Sequence, residues 1–93
     1  MEIREKLSIL EKDWNEASLE IILGSMVIEE CAILSTCNRF EVYYTTSSPR
    51  RALSDVMDYL SKRSGIDRLQ LREDLFCLRG GDAGWHLMRV AGG

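Results

Sequence analysis

Proline and histidine each occur once in 93 residues, and no apolar run approaches the roughly 18 residues a membrane-spanning helix needs. Neither C-x-x-C nor G-x-G-x-x-G is present, so the redox-dithiol and dinucleotide fingerprints are both missing. Cysteine is scarce and odd in number (Cys31, Cys37 and Cys77), which fits neither a disulfide framework nor a zinc site and suits a reducing compartment. The start of the chain carries Glu2, Arg4, Glu5, Lys6, Glu11, Lys12 and Asp13, unlike a signal or transit peptide. No excess of positive charge exists either. Twelve basic against fifteen acidic residues leave a net charge of −3, and Arg50, Arg51, Lys62 and Arg63 read as solvated helix ends. With so little basic charge and no aromatic stacking platform, a stand-alone nucleic-acid binder is poorly supported.

What the chain does have is 45% apolar residues, enough for one globular domain with a modest core. Ser8 with Glu11 has the form of a capping box, and Trp14, Ala17, Ile21 and Ile22 predict a helix over about 10–23. Gly24, with Ser25, is expected to end it in a left-handed conformation. Met26 to Glu30 reads as a connector. Cys31-Ala-Ile-Leu34 and Phe40 to Thr46 read as two strands paired in a hairpin, joined by Ser35-Thr36-Cys37-Asn38-Arg39. Pro49 opens a second helix, in which Leu53, Val56, Met57 and Leu60 share a face and which Gly65 closes. Residues 66–73 form an irregular or partly helical bridge to a third strand over Leu75 to Arg79. Gly80-Gly81 turns the chain, and Asp82 is expected to cap a last helix bearing Ala83, Leu87, Val90 and Ala91. A strand placed before this order would complete β-α-β-β-α-β. The fold class is therefore α+β, an incomplete ferredoxin-like (split βαβ) domain whose antiparallel sheet carries its helices on one face and whose first strand is missing.

Ser-Thr-Cys-Asn-Arg is the most informative segment. Cys37 lies in a polar connection two residues before Arg39, with donors from Thr36 and Asn38, surroundings that favour a thiolate nucleophile. The plainer possibility is a semi-buried Cys37 at a strand end with Arg39 paired to Glu41. His86, the single histidine, is either a hydrogen-bonded structural residue or the proton partner that a nucleophilic thiol needs. Cys31 and Cys77 sit in apolar runs and read as core.

With these residues in hand, the chain resembles the N-terminal catalytic domain of the glutamyl-tRNA reductases. The matching segments are Ile3 to Leu7, Glu29-Glu30, Ile33 to Arg39 followed by Glu41-Val42-Tyr43, and His86 to Ala91. The resemblance implies that Cys37 attacks the ester of glutamyl-tRNA to form a thioester. Hydride from NADPH then gives glutamate-1-semialdehyde, the first step of tetrapyrrole (porphyrin) biosynthesis. It also implies that Thr36 and Arg39 contact the glutamyl group, that Asn38 orients the loop and that His86 is the acid–base partner. Residues 1–93 would be a catalytic domain truncated at both ends, with the NADPH-binding and dimerisation domains absent and no metal required. Family members are homodimers through that missing domain, and glutamate-1-semialdehyde aminomutase is an expected partner. Plastid stroma or bacterial cytoplasm is the expected location. A chain cut this way should be marginally stable and unable to complete the reduction, because loss of a central first strand leaves pairing groups open. The alternative is a non-catalytic ferredoxin-like binding or redox-sensing module.

Overall fold

The computed structural model describes residues 6–73, 75–80 and 85–90, with the backbone alone for 76–80. A 3-10 turn over Glu11–Asp13 leads into α1 (Trp14–Gly24), followed by β1 (Ile28–Ser35), β2 (Phe40–Thr46), α2 (Pro49–Ser64), α3 (Arg68–Glu73), β3 (Leu75–Gly80) and β4 (Trp85–Val90). The four strands form one antiparallel sheet in the order β1-β2-β4-β3. The fold is α+β. Its α-β-β-α-β stretch follows the split βαβ order.

Alternation decides which face is covered. Phe40, Val42 and Tyr44 of β2 are buried with Ile33 of β1 and with Met88 and Val90 of β4, and the same cluster takes Ala17 and Ile21 from α1 and Ala52, Val56, Met57 and Leu60 from α2. Helices thus cover one face, while Glu41 and Tyr43 alternate onto the other. Leu7 and Ile9 join this core, Ile9 N–H donating to Ser35 Oγ at 3.0 Å and Trp14 Nε1 donating to the Ile9 carbonyl at 2.9 Å. The first bond fastens the chain before α1 to the hairpin end of the sheet, and the second ties that segment to the start of α1.

Several local expectations need correction. The Ser8/Glu11 capping box does not form. Leu10 precedes the 3-10 turn and no side chain caps it. Gly24 ends α1 without turning left-handed, because Ser25 in extended conformation stops the helix; among the described residues only Gly65 has a positive φ, 77°, closing α2 by donating to Ser61 O at 2.8 Å. Residues 28–30 belong to β1 and are not part of the connector. A register shift between Ile28 and Glu30 breaks the alternation there, which hides the strand in the sequence.

The larger correction concerns residues 85–90, expected in a helix and found as β4. Met88 and Val90 are buried and Arg89 between them is exposed, a period of two that the apolar residues chosen for a helical face do not share. Pairing on both sides, with β2 and β3, outweighs the weak helical pattern of a segment flanked by glycines. The expected cap Asp82, with Ala83 and Ala91, lies outside the described residues. β4 also lies between β2 and β3, so β2 is paired along both edges, whereas the loss of a first strand was expected to leave pairing groups open in the sheet.

Candidate functional site

Ser35 and Phe40 are the last paired residues of the β1–β2 hairpin, leaving Thr36 to Arg39 as its loop. Thr36 organises that loop. Its N–H donates to Arg39 O at 2.8 Å, and its Oγ1 accepts from the amides of Asn38 (3.2 Å) and Arg39 (3.1 Å). A threonine hydroxyl bonded to the backbone two and three residues ahead mimics a backbone turn and fixes the path without strain. Cys37 is thereby held at the tip with its thiol exposed, and Asn38 beside it is exposed as well.

Arg39 runs back along the open face of the sheet. Its Nη2 donates to Glu41 Oε1 at 2.8 Å, Tyr43 Oη donates to the same oxygen at 2.7 Å, and Arg89 Nε donates to Oε2 at 2.6 Å. Glu41 has no accessible surface, whereas Arg39 and Arg89 are 54% and 44% exposed. Burial alone would raise the Glu41 pKa. The hydrogen bonds from Tyr43, Arg89 and Arg39 outweigh it and hold the carboxyl below the usual carboxylate range. Tyr43 moves the opposite way, upward, because its proton is bonded to that carboxylate. The simpler expectation for Arg39, pairing with Glu41, is what the structure shows.

His86 lies elsewhere. It is the cross-strand partner of Tyr44 and stacks on that ring at a centroid separation of 5.6 Å and an interplanar angle of 17°. Tyr44 is four residues along β2 from Phe40, about 14 Å at the usual rise of a strand. Thr36, Cys37, Asn38 and Arg39 are therefore brought together and His86 is not. Cys31, half-buried against the core, has its thiol pushed up to about 11 by burial, partly offset by a hydrogen bond from Ser18. Cys77 pairs with Met88 in the β3–β4 ladder.

In the sequence Glu41 and Tyr43 stand within a motif, yet neither they nor Arg89 are assigned a site role by it. The available signal was the alternation of polar Arg39, Glu41 and Tyr43 with apolar Phe40, Val42 and Tyr44. A groove of about 700 Å³, lined by Arg50, Met57, Arg68, Arg72 and Leu75 among others, includes no loop residue. Among the described residues no three His, Cys, Asp or Glu side chains gather as a metal site would require, and no helix is long and apolar enough to cross a membrane.

An antiparallel α+β domain presenting an exposed cysteine on a threonine-organised hairpin loop, with an arginine anchored behind it, is the class that fold and site define. The sequence pattern described as "Glutamyl-tRNAGlu reductase, N-terminal domain" matches residues 1–93, and the chain belongs to that family. It is 46% identical over its whole length to glutamyl-tRNA reductase 1, chloroplastic, of Hordeum vulgare, of which it covers 18%. It is likewise 46% identical to the chloroplastic enzyme of Oryza sativa subsp. indica (17% covered) and 45% identical to the glutamyl-tRNA reductase of Synechococcus sp. strain CC9605 (21% covered). The chain thus spans about a fifth of the length of these relatives.

Proposed function

We propose that this chain is the nucleophile-bearing part of an NADPH-dependent glutamyl-tRNA reductase, an oxidoreductase of tetrapyrrole biosynthesis. The observation that carries the reading is the exposed Cys37 thiol on a loop whose backbone is fixed by Thr36, with Arg39 anchored two residues away. In the proposed step the Cys37 thiolate attacks the ester carbonyl carbon joining the glutamyl group to the tRNA. A carbon–sulfur bond forms, the carbon–oxygen bond breaks and the terminal ribose oxygen leaves with a proton. The thioester is a better hydride acceptor than the ester, so one hard step becomes two easier ones. Arg39, with donors left over from its bond to Glu41, is suited to the substrate's side-chain carboxylate. Thr36 and Asn38 shape the loop that meets the glutamyl group.

The described residues do not fit a dinucleotide: every strand pairing is antiparallel and no strand runs through a glycine-rich turn into a helix. The hydride donor, NADPH, belongs in this reading to a further domain, as does the homodimer contact. Glutamate-1-semialdehyde aminomutase remains a proposed partner that takes up the product. A plastid or bacterial cytoplasmic setting accords with the chloroplastic and cyanobacterial relatives. His86 as proton partner requires a change of geometry, because proton transfer needs groups about 3 Å apart or one bridging water. That separation favours the second reading, a non-catalytic module whose Cys37 is a structural or redox-sensing thiol.

The test is covalent capture. Charged tRNA carrying labelled glutamate should acylate the unsubstituted chain, and Cys37→Ser should abolish the label. Undiminished labelling of the serine variant, or none of the unsubstituted chain, defeats the proposal. In a full-length enzyme, His86→Ala should slow the chemistry more than it weakens binding, and an unchanged rate removes His86 from the mechanism.

A further inference from the structure

We infer that Glu41 is a positioning residue for the anion that the Cys37 loop receives, and that Arg89 supplies a second guanidinium to the same site. The inference rests on the reading that Cys37 is acylated by an aminoacyl ester. A fully buried carboxylate on the side of the sheet away from the helices has no packing reason to be there, since an apolar residue would cover β2 at lower cost. Among the described residues the carboxylate has three donors, two of them guanidiniums from different elements: Arg39 from the hairpin loop and Arg89 from β4.

The charge count sets what such a cluster can bind. Two guanidiniums and one carboxylate leave one net positive charge. Glu41 engages Nη2 of Arg39 and Nε of Arg89, and each guanidinium has five N–H donors, so both keep donors while about half exposed. A monoanion fits, and a planar carboxylate matches the geometry of a guanidinium fork. Tyr43, bonded to Oε1, restricts the carboxylate further and so restricts Arg39. The cluster would thus distinguish an acidic aminoacyl side chain from its neutral amide, with Glu41 acting through the arginines and never touching substrate.

The experiment is single-turnover acylation of Cys37 by glutamyl-tRNA and by glutaminyl-tRNA, read by mass. Glu41→Gln keeps the shape and removes the charge that holds the arginines. The concentration for half-maximal acylation should rise about tenfold, and the preference for the acid over the amide should fall by about the same factor. The limiting rate should stay within about threefold. A folded Glu41→Gln chain with unchanged half-saturation and preference overturns the inference, as does a lowered limiting rate at unchanged half-saturation. Should that variant not fold, Tyr43→Phe removes one donor and no charge. It should raise half-saturation by about two- to fivefold, and no change overturns the inference. If Cys37 is not acylated in the unsubstituted chain, the underlying reading fails and the inference with it. If it is acylated while Glu41→Gln behaves normally, the inference alone fails.

Discussion

Arg89 and Glu41 face each other directly across the β4–β2 ladder, and Arg89 Nε donates to Glu41 Oε2 at 2.6 Å. Glu41 has no accessible surface, but both arginines that donate to it are about half exposed, so solvent screening reduces what the pairs contribute. The folded state still holds the carboxyl below its usual range. Below the ordinary glutamate value, about 4.3, the unfolded chain takes up the proton first, so the contribution is complete above that value and is lost as pH falls through the lower folded value. Glu41→Gln should cost about 1–2 kcal/mol at pH 7 in urea unfolding. The gap should narrow steadily toward pH 3. A gap that stays constant with pH would show that Glu41 contributes by shape alone.

Placement of residues 85–90 in a strand gives a test that separates the two secondary structures. A helical face would bury Leu87 with Val90, whereas the strand buries Met88, which has no accessible surface, and leaves Leu87 half-buried on the opposite side. Met88→Ala should cost about 2–4 kcal/mol, and Leu87→Ala well under half of that. Thermal or urea unfolding of the two variants side by side decides it, and the reverse ranking would restore the helix.

The same segment shows what sequence could and could not convey. α1, β2, α2 and the β1–β2 hairpin were legible because each carries its own period or breaker: Ala17 and Ile21 on one helical face, alternating β2, Pro49 at one end of α2 and Gly65 at the other. β4 was not legible, since its six residues fit either period and only two neighbouring strands decide between them. The loop of the candidate site was readable from Thr36 to Arg39 because those residues are contiguous. Its anchor was not, because Arg89 reaches Glu41 only through sheet pairing.

Thiol modification provides a check on the site. Cys37 is exposed, while Cys31 is half-buried with its thiol pushed up to about 11, so at pH 7 only about one Cys31 thiol in ten thousand is ionised. Iodoacetamide under native conditions should therefore modify Cys37 at least about tenfold faster than Cys31, as read by peptide mass spectrometry. Equal rates would argue against the exposed loop and favour the structural-thiol alternative.

Thr36 is the residue on which the loop geometry depends, because one hydroxyl accepts from two amides and the backbone N–H closes the turn. Thr36→Ser keeps the acceptor and should leave both stability and the loop unchanged. Thr36→Val keeps the branched shape and deprives the Asn38 and Arg39 amides of their partner. Both amides then turn to water on an exposed loop, so the cost should be small, about 0.5–1 kcal/mol. The larger effect should be local. Hydrogen exchange at the Arg39 amide should speed up in the valine variant and not in the serine variant, and the Arg39 contact with Glu41, two residues further on, should loosen with it. That loosening would appear as a smaller destabilisation by Glu41→Gln in the valine background than in the unsubstituted chain. Full additivity of the two substitutions would mean that the loop and the arginine anchor are independent, and that Thr36 does not set where Arg39 lies.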